Sequence, residues 1–227
     1  MAGVDPASVA RVDQADVAAV ERQLGRAPRG LRAVAHRCPC GLPDVVETAP
    51  RLPDGSPFPT LYYLTCPKAA SAIGTLESSG LMKRMQARLA EEPDLAEAYA
   101  SAHEDYVSRR DKVASEEGLE PLPRDMQSAG GMPNRVKCLH ALVGHELAVP
   151  GSNPLGREAL DALPEWWCDG PCVEPAAGSG AHGGAEALSG GAEVLAGGAE
   201  VLSGGAEALS GGAELLSGGA EVPEEDV

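Results

Sequence analysis

The fold is decided by residues 31–67, which read LRAVAHRCPCGLPDVVETAPRLPDGSPFPTLYYLTCP. Three segments of this stretch are rich in β-branched residues or alternate in the way typical of strands: Leu31–Cys38, Asp44–Thr48 and Thr60–Thr65. The cluster Leu52–Pro57, which has one proline before and one after an Asp-Gly pair, predicts a turn. Because the links between the three segments are short, we expect a small antiparallel sheet of about three strands.

The pattern changes from strand to helix after Cys66. Pro67 suits the first position of a helix, and apolar residues then recur at helical spacing. The expected helices are Ala15–Arg26, one from Pro67 capped by Gly80, a run over Leu81–Leu89, a longer one from Pro93, one capped by Asn134 that reaches about Val149, and a short one after Asn153–Pro154 that ends near Trp166–Trp167. Strands followed by helices indicate an α+β fold. We expect a single α+β domain over residues 15–167.

The two ends of the chain differ from this domain. We expect residues 1–14 to form a flexible N-terminus. From Gly183 onward a seven-residue repeat begins with two adjacent glycines, each of which costs about 1 kcal/mol against alanine in a helix. One leucine and a variable apolar neighbour per repeat cannot offset that cost. We therefore expect residues 168–227 to form a disordered, acidic, glycine-rich tail, with weak self-association of the repeats as the alternative.

Charge and hydropathy exclude several classes of protein. The formal net charge is −16, which disfavours broad binding to nucleic acids and to anionic membranes. No stretch approaches the ~18 consecutive apolar residues of a transmembrane helix, and Met1–Gln14 lacks the apolar segment of a secretory signal. We expect a cytoplasmic protein whose cysteines stay reduced, with unknown partners that could include another protein.

Cysteines and histidines stand near the ends of several predicted elements. They are Cys38 and Cys40 after the first strand, Cys66 after the third, and Cys138, His140 and His145 near the start of a later helix. A structural zinc site needs four sulfur or nitrogen ligands in a tetrahedron. Residues two apart on a regular helix point about 200° apart, so Cys138 and His140 could not share an ion from such a helix. The alternative is that the cysteines are small buried apolar residues.

Cys66 also fits a chemical role of its own. If Pro67 begins a helix, Cys66 is its N-cap, where unpaired N–H groups and the helix dipole favour a thiolate. Such a thiolate would be a nucleophile, with a nearby histidine as its base. Arg135 and Lys137 follow Gly130–Gly131 at a predicted helix start and could hold a phosphate or a carboxylate. The alternatives are an ordinary capping thiol and two exposed charges.

Four segments of the chain also occur together in a known family. They are Cys38–Val45, Phe58–Pro67, Val136–His140 with His145, and Asn153–Gly156. In this order they resemble domain-of-unknown-function family 501, an uncharacterised and mainly actinobacterial family, over about Val20 to Trp167. The first family motif has no cysteine at the position of Cys40, and Cys168 and Cys172 lie outside the resemblance. The zinc ligand set that the resemblance implies is Cys38, Cys66, Cys138 and His140, with His145 as the alternative to His140.

Three hypotheses about function follow from these residues. The first is a single Cys₃His site, structural if it holds zinc. The second is a thiol or acid–base enzyme built on Cys66 with His140 or His145, acting on an anionic substrate held by Arg135 and Lys137. The third is a non-catalytic module whose helices bind another protein. The first two require side chains from distant parts of the chain to meet where the sheet joins the last helices.

Overall fold

The computed structural model describes residues 10–123, 126 and 129–174. The predicted disorder of the glycine-rich repeats falls on residues outside these ranges, as does most of the predicted flexible N-terminus.

The sheet has four antiparallel strands in the order β1-β2-β3-β4. Strands β2 (Leu31–Arg37), β3 (Pro43–Thr48) and β4 (Tyr62–Leu64) confirm the three predicted strands. The fourth strand, β1 (Ala10–Arg11), pairs with β2 and lies in the segment expected to be flexible. Two residues are too few to show an alternating pattern, so the sequence did not indicate β1. The α+β prediction is confirmed.

Strand β3 lies between β2 and β4, and all six of its residues are buried. It pairs with β4 through Val45 and Leu64, among others. A tight turn joins β2 to β3, in which the amide of Gly41 donates to the carbonyl of Cys38 at 2.8 Å. Gly41 has a φ of +87°, a conformation that glycine adopts without strain. The turn brings Cys38 and Cys40 close to each other.

The described residues contain six helices. They are α1 (Gln14–Leu24), α2 (Pro67–Ser78), α3 (Leu81–Glu91), α4 (Pro93–Glu116), α5 (Leu139–Ala148) and α6 (Pro154–Asp161). Pro67 and Pro154 stand at helix starts, as predicted. The prediction for α5 was wrong at its start, because its N-cap is Cys138 rather than Asn134. The prediction for α6 was too long, since the helix ends at Asp161, before the two tryptophans.

Helix α5 lies at the centre of the core. Its Leu139 and Leu142 are fully buried. Two glycines allow close packing around it. A Cβ atom on Gly144 would lie 3.2 Å from the backbone oxygen of Tyr62 in β4, and one on Gly156 in α6 would lie 2.3 Å from the backbone oxygen of Leu142. Helix α5 therefore packs directly on both β4 and α6, and it also contacts α2.

Part of the chain that follows α6 contacts the start of α2. The ammonium of Lys68, in the first turn of α2, donates to the backbone oxygens of Asp169 at 3.2 Å and Gly170 at 3.0 Å. Cys172 packs against buried side chains of the domain. Asp169, Gly170 and Cys172, which fall in the predicted tail, therefore lie close to the start of α2.

Candidate functional site

The predicted zinc ligands are divided between two places. Cys38 and Cys66 are buried in an apolar cluster with Trp166, whereas Cys138 and His140 line a cleft. The structure does not bring the four residues of the expected Cys₃His set together. Two separate groups of side chains replace the single site.

Cys138 and His140 meet a third side chain, that of Glu77 near the end of α2. One potential ligand atom from each of the three lies within 4.8 Å of the others. The Nδ1 atom of His140 is 3.3 Å from Oε1 of Glu77, and its Nε2 atom is 3.2 Å from the backbone oxygen of Ala70. Because a carbonyl oxygen can only accept, Nε2 carries a proton. The imidazole is thus held from both sides, with Nδ1 facing the carboxylate.

The start of α5 explains how Cys138 and His140 come together. Since the helix begins at Leu139, Cys138 is the N-cap and has an extended backbone, with φ −153° and ψ 110°. It is therefore outside the regular helix that would have turned the two side chains apart. The amide of Leu139 donates to Oε1 of Glu77 at 2.7 Å. This hydrogen bond fixes the N-terminus of α5 to α2.

The charges of Cys138 and His140 support each other. Burial alone would raise the pKa of the Cys138 thiol, but the hydrogen bond with His140, the amide of Ala141 and the positive charge of the ring together lower it below its ordinary value. The hydrogen bond with Cys138 and the charge of Glu77 together raise the pKa of His140 to about 9, against the opposing effect of burial. The site therefore favours a thiolate beside an imidazolium.

A cleft of about 510 Å³ opens beside this group. Its apolar lining includes Leu24, Leu64, Pro67 and Ala70. Its polar lining includes Gln23, Thr60, Tyr63 and Thr65. No lysine or arginine is among the described residues that line it, so an anionic substrate would gain no ion pair with such a side chain. The cleft suits a mainly apolar molecule with a few hydrogen-bonding groups.

Two of the residues that line the cleft each have a buried polar atom without a hydrogen-bond partner in the described chain. Oγ1 of Thr65 and Oε1 of Gln23 are buried and have no hydrogen-bond partner within the described chain. A buried polar group that stays unpaired costs about 1–3 kcal/mol.

His145, the alternative ligand, lies elsewhere and in a different environment. It is fully buried, with Nε2 3.3 Å from Oδ2 of Asp105 and Nδ1 3.4 Å from Nδ2 of Asn153. Its ring stacks on Tyr62 with centroids 5.9 Å apart. Burial lowers the pKa of His145, although Asp105 opposes this, and the imidazole is therefore neutral near pH 7. His145 contributes to the core and is not among the residues that line the cleft.

Cys66 is the N-cap of α2, as predicted. The expected thiolate is not favoured, because burial raises the pKa of the Cys66 thiol to about 12, against the opposing effect of the amides of Ala69 and Lys68. The helix N-terminus is thus too weak to offset desolvation. A protonated thiol is a poor nucleophile, so this environment does not favour Cys66 for the catalytic role that the second hypothesis gave it.

Arg135 and Lys137 precede α5 instead of standing in its first turn. Both are exposed. Their amides donate to the backbone oxygens of Gly131 at 2.9 Å and Gly130 at 2.7 Å, within a turn. Neither residue lines the cleft. Anion binding by this pair stays a prediction, and it is separate from the site at Cys138.

Glu77 is the functional candidate that sequence reasoning missed. It is one acidic residue among many on the predicted helices, and its partner Leu139 is 62 positions further along the chain. Nothing in a single sequence relates these two positions. Only the packing of α5 against α2 shows that the carboxylate belongs with Cys138 and His140.

A family model described as a protein of unknown function, DUF501, matches residues 34–161, which is more than half of the chain. The matched segment contains Glu77, Cys138 and His140 and ends before Cys172. No curated protein and no solved structure matches the chain. Among the described residues, no helix has the length and apolar character needed to cross a membrane.

Proposed function

The chain belongs to the DUF501 family of proteins of unknown function, and we propose that it is a thiol-dependent enzyme with Cys138 as its nucleophile. The observation that carries this proposal is the meeting of Cys138, His140 and Glu77 at the edge of a cleft. The role that the second hypothesis assigned to Cys66 passes to Cys138. A working thiol also requires a reducing compartment, in keeping with the expected cytoplasmic location.

Each of the three residues has a defined part in the proposed chemistry. Cys138 supplies the sulfur at the N-terminus of α5, where the helix dipole stabilises negative charge. His140 takes the proton of the thiol and stays next to the sulfur as a cation. Glu77 lies 3.3 Å from Nδ1 of His140, where its charge stabilises the imidazolium. Because Nε2 of His140 already donates to the carbonyl of Ala70, that carbonyl orients the ring, and Nδ1 is the atom that takes the proton of the thiol.

The cleft indicates acyl transfer from a small, largely uncharged carbonyl compound. Leu24 and Leu64 offer apolar contacts, and Thr60 and Tyr63 offer polar groups. The Cys138 sulfur would form a bond to the carbonyl carbon while the leaving group departs with the proton held by His140. Water, or a second substrate, would then release the acyl group and regenerate the thiol.

Alkylation by iodoacetamide near pH 7, followed cysteine by cysteine with mass spectrometry, tests the proposal on the full chain. We expect Cys138 to react fastest, because its thiolate is stabilised and it lines an open cleft. Cys168 is the internal control, since it is exposed and outside the cleft. Cys38 and Cys66 should react slowest, because both are buried.

The variant Glu77→Gln separates this proposal from simple accessibility. It keeps the shape of the side chain but removes the charge that supports the imidazolium. We expect Cys138 to alkylate several-fold more slowly in this variant at pH 7 while Cys168 is unchanged. If Cys138 reacts no faster than Cys168 in the unmodified protein, the thiol is not activated and a non-catalytic binding module is favoured instead.

A second candidate function uses the same three side chains as zinc ligands. Thiolate, imidazole and carboxylate are all zinc ligands, and three protein ligands with an open fourth position are typical of catalytic zinc. The observation that favours zinc binding is that one potential ligand atom from each of the three side chains lies within 4.8 Å of the others. Addition of zinc to the metal-free protein should then protect Cys138 from iodoacetamide. Unchanged alkylation at saturating zinc would exclude this candidate.

A further inference from the structure

Four of the six cysteines converge in a second place, around an apolar cluster that is separate from Cys138. Cys38 and Cys66 are 3% and 0% exposed and share an apolar cluster with Trp166. Cys40 and Cys172 are half-buried and pack against the same cluster. These residues come from the β2–β3 turn, the start of α2 and the segment after α6, so the chain brings thiols together from three distant parts.

The thiols are arranged as two pairs. The side chain of Cys38 interacts with that of Cys40 across the tight turn, and the side chain of Cys66 interacts with that of Cys172. Lys68 holds the second pair in place through its hydrogen bonds to the backbone just before Cys172. Neither pair is joined by a disulfide.

N–H groups point at three of the four sulfurs. The amide of Cys40 bonds to the sulfur of Cys38, and the amides of Lys68 and Ala69 bond to the sulfur of Cys66. Nε2 of Gln23 lies 3.2 Å from Sγ of Cys172. A neutral thiol is a weak acceptor, whereas a thiolate accepts strongly. Such donors therefore suit sulfurs that carry negative charge, as in a metal thiolate site.

We infer that Cys38, Cys40, Cys66 and Cys172 bind one soft divalent cation, zinc in the first instance, as a four-thiolate site. Four thiolates in a tetrahedron select zinc or iron among the common metals. The surrounding apolar side chains and the full set of four ligands leave no open position, so the site is structural. It is independent of the proposed chemistry at Cys138.

Metal binding would draw the two pairs closer together. A Zn–S bond of about 2.3 Å places tetrahedral sulfurs about 3.8 Å apart. Among the described residues, three ligand atoms come within 4.8 Å of one another only at Glu77, Cys138 and His140. Binding therefore requires the two pairs to approach each other, and the segment that carries Cys172 lies at the surface. Because Gln23 contacts Cys172 and also lines the cleft, the metal would brace one wall of the cleft.

The test is elemental analysis of the full chain, produced with zinc in the medium and purified without chelators. We expect about one metal ion per chain, and its loss in Cys38→Ser and Cys172→Ser. Cys168→Ser is the matched control, because Cys168 lies in the same segment but is exposed; this variant should keep the metal. Cys138→Ser should also keep it, which separates this site from the one in the cleft.

Cobalt substitution shows the nature of the ligands. The Co²⁺ protein should have the strong near-ultraviolet charge-transfer band of a four-thiolate site, and that band should weaken in Cys172→Ser while circular dichroism stays unchanged. Metal that is lost only in Cys138→Ser would overturn the inference. A metal-free protein, including one with a Cys66–Cys172 disulfide detected by mass spectrometry, would overturn it too.

Discussion

Replacement of His140 by glutamine examines the coupling between this imidazole and the Cys138 thiol. The variant keeps a hydrogen-bonding side chain near Ala70 and Glu77 but cannot carry a positive charge. We expect the Cys138 thiol to lose its main stabilising partner, so its pKa should rise and its reaction with iodoacetamide at pH 7 should slow. Cys168 in the same sample should react at an unchanged rate.

The size of the effect follows from the pKa of His140. The rise from the ordinary value of 6.5 to about 9, to which Cys138 contributes most and Glu77 adds, corresponds to about 3 kcal/mol in total. The His140 side chain is 33% exposed, so solvent screens the interaction. Screening leaves about half of this interaction energy. About 1.5 kcal/mol corresponds to about a tenfold fall in the thiolate fraction.

The dependence of the alkylation rate of Cys138 on pH shows the direction in which His140 shifts the pKa of the thiol. In the unmodified protein, alkylation of Cys138 should persist as the pH falls below the ordinary thiol pKa, because the imidazolium favours the thiolate. In His140→Gln the rate should fall by about tenfold for each pH unit below the thiol pKa. The two proteins should converge above pH 9, where His140 loses its proton. Equal rates for the two proteins at pH 7 would refute the coupling.

Two further predictions concern the packing of α5 against α6 and a buried hydrogen bond to Tyr106 of α4. Gly156→Ala should destabilise the protein by about 1–3 kcal/mol in urea denaturation, because the new Cβ would lie 2.3 Å from the backbone oxygen of Leu142. The control is Gly74→Ala, a helical site where a Cβ meets nothing within 4 Å. This variant should instead stabilise the protein by up to about 1 kcal/mol. Equal effects would contradict the close approach of α5 and α6. Tyr106→Phe should cost about 1–2 kcal/mol in thermal denaturation, because it removes the hydroxyl that accepts from the buried amide of Leu61; an unchanged melting temperature would show that this amide finds another partner.

The sheet could be predicted from the sequence because its signals are local. Alternation and β-branched residues marked β2 and β3, and Pro67 marked the start of α2 immediately after β4. The start of α5 could not be predicted in this way. Asn134 is a favourable N-cap by residue type, but tertiary contacts take precedence. The carboxylate of Glu77 binds the amide of Leu139, and the helix begins there.

The candidate site was predicted only in part, for a related reason. Cys138 and His140 were recognised from their residue types, but their partner Glu77 is brought to them only by tertiary packing. The position of Cys66 at the start of α2 was predicted correctly. The direction of its side chain is not visible in a sequence, and Cys66 was therefore grouped with Cys138 and His140. Its neighbour Cys172 was assigned to the tail, because nothing local shows that this segment returns to the start of α2.

The ionisation of Cys138 is the most direct measure of the proposed thiol centre. A titration of the full chain labelled with ¹³C at the cysteine Cβ and the histidine ring would follow both groups of the pair by NMR. We expect Cys138 to lose its proton below the ordinary thiol value of about 8.5, while His140 stays protonated up to about pH 9. A protonated Cys138 beside a neutral His140 at pH 7.5 would contradict the proposal.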